Sequence, residues 1–254
     1  MEAYQLTRSK RKSLSIVIGK DGTIQVKAPN WLPKYKIDQF IQQKAEWIQE
    51  KQRELSLIEQ KKPAHTFREG DGFLFQGETY RLRFRSRSRQ KEQLDREQTA
   101  RVYKGVALEE REKLMYLESD LEEAEASLVE QSIEEWYLFQ AKQIFPERVS
   151  QYYPLVSRQA QSQGAEIGPL NRISIRSQKT RWGSCSSKGN LNFNWRLVMA
   201  PAEILDYVVV HELCHLAYLN HSGQFWQLVS SILPDCRERR SWLKANGLLL
   251  EWED

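Results

Sequence analysis

The stretch Val208-Val209-Val210-His211-Glu212-Leu213-Cys214-His215-Leu216-Ala217-Tyr218-Leu219-Asn220-His221 decides how the rest of this chain is read. Its apolar residues run on without a strand's alternation. They predict a mostly buried helix over 204–219, with Pro201 at a favoured first-turn position. On a helix, a spacing of four stacks His211 and His215 on one face, a turn apart. Two such imidazoles hold one tetrahedral zinc ion at about 2.0–2.1 Å each. Glu212 lies about 100° further round the helix, where it reaches a water beside the metal without being a ligand. His-Glu-x-x-His is the arrangement of zinc hydrolases: the metal polarises, and the carboxylate takes a proton from water and later returns it to the leaving group.

Three of the chain's four histidines lie between 211 and 221; the fourth, His65, sits in a polar stretch and is expected at the surface. The competing reading is a helix with stacked core histidines. A buried glutamate without a partner is costly, and a metal site accounts for Glu212 on an otherwise apolar helix. Two choices of third ligand stand open. His221 follows His215 by six residues, the spacing of the metzincin signature. That signature has glycine where Tyr218 stands, and Asn220 is expected to make the turn instead through left-handed backbone. The alternative is an acidic ligand on the next helix, Asp235 or Glu238, as in gluzincins.

Working outward, the 254 residues allow one large domain or two small ones. With 40% hydrophobic residues, eight Trp and ten Tyr, the chain is no disordered polymer. No apolar run approaches the ~20 residues of a membrane span, and the first residues lack the apolar core of a signal peptide. Three cysteines make no disulfide framework. A cytoplasmic protein without a membrane partner is expected. The net charge of +4 conceals blocks: +10 over 1–108, −8 over 109–150 and +2 over 151–254. These blocks suggest a strand-rich N-terminal region with one long helix (1–108), an acidic helical linker (109–150) and a catalytic domain (151–254).

Within the first block, residues 12–28 alternate around Asp21-Gly22 as a hairpin, and 36–59 carry apolar residues at helical spacing. Strands are predicted over 68–108, with Arg81, Arg83, Arg85, Arg87 and Arg89 on one face. The stretch 108–149 reads as one long helix or two, its apolar side formed by Leu114, Leu117, Leu121, Leu128, Ile133 and Trp136. Short strands are expected at 173–175 and 191–195, then helices over 222–233 and 237–245.

Several runs resemble the YgjP-like metal-dependent hydrolases, a family grouped with zincin metallopeptidases and related to the SprT and WLM types. They are Lys179-Thr-Arg-Trp-Gly-Ser-Cys185, Asn192-Phe-Asn-Trp195, Leu205-Asp-Tyr-Val-Val-Val-His-Glu-Leu-Cys-His-Leu216, Asn220-His-Ser222 and Phe225-Trp226. The likeness is strong from 173 to 247 and weaker at 8–29 and 44–48. It implies an α+β fold: a strand-rich N-terminal part, then a zincin-like C-terminal domain with the active-site helix. It implies His211, His215 and His221 as ligands of one zinc per chain, and favours His221 over the acidic alternatives. The expected activity is a zinc metallopeptidase with Glu212 as general base and acid, acting on a peptide or protein. Lys179, Arg181 and Tyr207 are candidates for substrate binding. Because some family members carry a nucleotide-pyrophosphatase label, a nucleotide substrate at the same site is the alternative. A third possibility is nucleic-acid association through the basic N-terminal region, Arg8 to Lys12 and the arginine stripe.

Overall fold

A computed structural model describes residues 3–19, 21–59, 64–85, 105–118, 125–178 and 180–251. The chain forms two compact units, Met1–Pro63 and Ala64–Asp254. The boundaries expected from the charge blocks, at 108/109 and 150/151, both fall inside the second unit.

The first unit contains the predicted hairpin. Strand β2 (Ser15–Ile18) pairs antiparallel with β3 (Ile24–Pro29), with Ile16 opposite Val26. A third strand, β1 (Tyr4–Ser9), lies parallel to the other edge of β3. The central strand buries Ile24, Val26 and Ala28 against Ile37 and Ile41 of α1 (Lys34–Gln43) and Ile48 of α2 (Ala45–Glu59). The single helix expected over 36–59 is thus two, divided at Lys44, whose φ/ψ of −103°/8° is not helical. Arg8 donates from Nη1 to the carbonyls of Pro29, Asn30 and Leu32, so it ties the end of β3 to β1.

The second unit opens with a four-stranded sheet in the order β4 (Gly72–Phe75), β5 (Glu78–Arg85), β7 (Leu114–Glu118), β6 (Val106–Glu109). On β5, Tyr80 and Leu82 face the core while Arg81 and Arg83 face outward, as alternation predicts. Arg83 pairs with Glu69 at 2.9 Å, and the Arg85 guanidinium stacks 4.3 Å from the Tyr116 ring. Arg87 and Arg89 lie outside the described residues.

The helix expected from 108 is not there. Residues 106–118 make the β6–β7 hairpin, with Val106, Leu108, Met115 and Leu117 buried at a period of two. Short apolar runs satisfy both periods, and the turn uses Lys113 at φ 55°, a residue that gives no glycine signal. The helix, α3 (Ala126–Ser162), starts later and buries Ile133 and Trp136 as expected, whereas Leu128 is half exposed. Nor is His65 a surface side chain. It is 7% exposed and stacks on Phe73 at 4.5 Å, because Phe67 and Phe73 fold over the polar stretch that carries it.

A three-stranded sheet follows, ordered β8 (Arg172–Arg176), β10 (Asn190–Asn194), β9 (Gly183–Cys185), with β8 parallel and β9 antiparallel to β10. A 3-10 turn, Trp195–Met199, leads into α4 (Ala202–Cys214). The β4–β5 turn fixes that entry. Gln76 and Gly77 donate their N–H groups to the carbonyls of Val198 and Met199, and a Cβ on Gly77 would lie 2.9 Å from Pro201. Helix α4 is buried all round, with Asp206 anchored by the Tyr152 hydroxyl of α3 at 2.9 Å. Helices α5 (Gly223–Ile232) and α6 (Cys236–Asn246) complete the unit.

Candidate metal centre

Helix α4 stops at Cys214, one turn earlier than its hydropathy suggests, and His215 occupies the C-cap position with helical φ/ψ. The histidine pair therefore keeps its helical stacking while the chain turns back immediately behind it. The turn is held by the Asn220 side chain, which accepts from the N–H of Ser222 at 3.2 Å. Asn220 is not among the residues at positive φ, so it makes the turn by a hydrogen bond and not by left-handed backbone. Ser222 then caps α5, its hydroxyl accepting from the N–H of Phe225. These two polar contacts deliver His221 to the face that carries His211 and His215.

The ligand atoms of His211, His215 and His221 lie within 4.8 Å of one another. The Nε2 atoms of His211 and His221 are 3.0 Å apart, close to the ~3.3 Å separation that two ligands of a tetrahedral zinc would have. His215 Nδ1 lies 2.9 Å from the carbonyl of Tyr218. A carbonyl only accepts, so Nδ1 carries the proton and Nε2 keeps its lone pair for the cluster. Burial and the neighbouring imidazoles push His211 down to about 3, and burial lowers His215 too. Both are neutral at physiological pH, the form that binds a metal. Phe225, fully buried, packs edge-on or stacked against all three rings at 4.6–4.9 Å. The donor set, three imidazoles fixed by packing, fits a divalent cation such as zinc. Asp235 is occupied with Arg239 at 2.9 Å and, like Glu238, stands outside this group.

Glu212 is 5% exposed and its Oε2 has no hydrogen-bond partner among the described residues. Burial pushes it up to about 8, with Arg181 opposing. It packs on β9, where a Cβ on Gly183 would come within 2.7 Å of its Cγ and Oε1. Only glycine leaves that room. His211 and Glu212 line a cleft of about 360 Å³ with Arg181, Trp182 and Tyr207.

With this geometry in place, comparison with known families is informative. Residues 12–246 match the YgjP-like metallopeptidase domain. The chain belongs to the YgjP-like metallopeptidase family. A search of curated proteins gives no match. Among solved structures, the chain is similar to the metallopeptidase zymogen of Pyrococcus abyssi abylysin, at 22% identity over 38% of this chain and 93% of that one, with a TM-score of 0.31.

In this YgjP-like fold the sequence candidates separate. The three histidines and Glu212 come together. Tyr207 joins them, its ring 5.8 Å from His211 and its hydroxyl pushed up to about 12 by burial. Arg181 lines the cleft, whereas Lys179 lies outside the described residues. Cys185, pushed up to about 11, is not in the ligand group. Sequence reading included Gly183 in the run 179–185 but missed its role, which rests on its contact with Glu212. It also missed Arg240, Leu243 and Lys244 of α6, whose shared face was legible from their spacing but whose destination was not. No helix among the described residues is long and apolar enough to cross a membrane.

Proposed function

We propose that this YgjP-like metallopeptidase is a zinc-dependent peptidase of the zincin type. His211, His215 and His221 hold one zinc per chain, and Glu212 serves as general base and then general acid. The observation that carries the reading is the convergence of three imidazoles beside a buried carboxylate with an unpartnered oxygen, with His211 and Glu212 opening on one cleft. When bound, the metal supplies Lewis acidity and brings water into nucleophilic range at neutral pH. Oε2 of Glu212 accepts the proton of the attacking water and delivers it to the leaving amine. Burial favours the protonated carboxyl and the bound cation would favour the carboxylate, so the two oppose each other at this group. Tyr207 stays a phenol and offers its O–H to the substrate, and the Trp182–Gly183 backbone lines the path of the peptide. All three cysteines are free, which supports a reducing compartment such as the cytoplasm.

The test is elemental analysis and peptide turnover on protein purified without added metal. Wild type should carry about one zinc per chain, and His211→Ala should lose it. Glu212→Gln should keep the metal while turnover falls by at least ~10²-fold. Failure to take up zinc, or full turnover by Glu212→Gln, would overturn the reading.

A further inference from the structure

The lining of the cleft is cationic beyond His211 and Glu212. Arg181 enters from the segment before β9, and Arg240 and Lys244 stand one turn apart on α6. Glu212 is the acidic residue in the lining. Two of the cations are held in place by contacts that leave their charge unspent. The Arg240 guanidinium lies 4.9 Å from the centre of the Trp226 ring, and Trp226 stacks on His221 at 5.7 Å and 27°. Its position is thereby tied to the metal centre. Arg181 is fixed through its backbone. Asn194 donates from Nδ2 to the carbonyls of Gln178 and Arg181 and from its N–H to the carbonyl of Trp182. The Trp182 ring in turn packs on Gly247, where a Cβ would lie 3.0 Å from it.

Among the described residues, neither Arg181, Arg240 nor Lys244 makes a side-chain hydrogen bond or ion pair. All three are exposed and line one cleft, where they present the same sign of charge to an incoming ligand. A cleft lined by one sign of charge concentrates ligands of the other.

We propose that the cleft selects peptides carrying a carboxylate close to the scissile bond, and that Arg181, Arg240 and Lys244 recognise it. The proposal rests on the peptidase reading above. The carboxylate is an acidic side chain or a free peptide C-terminus; a peptide suits a cleft whose remaining lining includes Trp182, Tyr207, Val208 and Leu243.

The experiment compares zinc-loaded enzyme on matched peptides: Glu against Gln and Lys near the cleaved bond, and free against amidated C-termini. Loss of the charge should lower kcat/KM about tenfold or more, the usual worth of a charge-assisted contact. The Glu/Gln pair and the acid/amide pair show which carboxylate is read. The acidic-over-neutral ratio should collapse in Arg240→Gln and Lys244→Gln, and Arg240→Glu should turn the preference toward Lys peptides. Binding is measured separately by fluorescence anisotropy on zinc-loaded Glu212→Gln. Peptides cleaved and bound without charge preference would overturn the proposal, as would a preference untouched by the Arg240 and Lys244 variants. An acidic preference in binding with no peptide cleaved by wild type would overturn the peptidase reading and leave the recognition standing. Hydrolysis of a nucleoside triphosphate that displaces the acidic peptide, with no peptide cleaved, would make the anion a phosphate and overturn both.

Discussion

Glu212 packs directly on Gly183, where a Cβ would come within 2.7 Å of its Cγ and Oε1. Gly183→Ala forces its side chain aside while leaving the three histidines in place. The expected result is a loss of turnover of about 10²-fold with zinc content unchanged, since displacement of ~1 Å is enough for that loss. Equal losses of metal and activity would show that Gly183 supports the helix and not the carboxylate. The pH behaviour of Glu212 is also a residue-scale matter. In metal-free protein its folded-state value is about 8 against an ordinary 4.5. The folded state therefore holds an extra proton between those limits, and stability falls as pH rises toward 8. Removing the carboxylate should abolish that fall. Metal-free Glu212→Gln should exceed wild type in stability above pH 8, as read from urea midpoints at pH 6.5 and 8.5. Parallel profiles for the two proteins would contradict this.

At the scale of elements, α4 and α5 place the ligands, and two polar contacts place the helices. Ser222 caps α5 directly after His221, so Ser222→Ala should cost about 1 kcal/mol and weaken zinc retention as the third ligand loosens. Tyr152 anchors Asp206 of α4, and Tyr152→Phe should cost about 1–2 kcal/mol by leaving a buried carboxylate short of a donor. Urea unfolding of both variants checks these values. Unchanged zinc affinity in Ser222→Ala would show that packing by Phe225 and Trp226 is enough to hold His221. Elements were legible where one period dominated: the β2–β3 hairpin, α5, and the alternating β5. They were not legible at 108–118, where apolar spacing fits both helix and strand and the partner strand β5 lies about thirty residues upstream.

For the whole second unit, the metal and the fold are linked. On the zinc reading proposed above, a chelator removes a ligand of the folded state, so the melting temperature should drop and recover on adding zinc. Acid should act in the same direction on stripped protein. His211 is held at about 3, below its ordinary 6.5, and His215 is also lowered. Below pH 6.5 the unfolded chain takes up protons that the folded one refuses, so these histidines withdraw stability as pH falls. Combined with Glu212, this puts the stability maximum of metal-free protein near pH 6.5, measurable by thermal scans from pH 5 to 9. A maximum shifted to about pH 5 would mean that the histidines are open to water, because the fall due to Glu212 would then act alone.

The sequence by itself determined the chemistry of the centre. Four-residue spacing on an apolar helix is local geometry, so His211, His215 and the place of Glu212 between them follow without a partner. His221 was open against Asp235 and Glu238 on spacing alone, and the family likeness favoured it; the turn that returns it is built within six residues, by a hydrogen bond that spacing does not reveal. Tertiary structure alone decided what surrounds them. Gly183 and Arg181 come from the region around β9, about thirty residues before the histidines, and Arg240 and Lys244 from α6, about thirty after. Their meeting in one cleft depends on how a sheet edge and two helices pack, and packing between distant segments leaves no period in the chain.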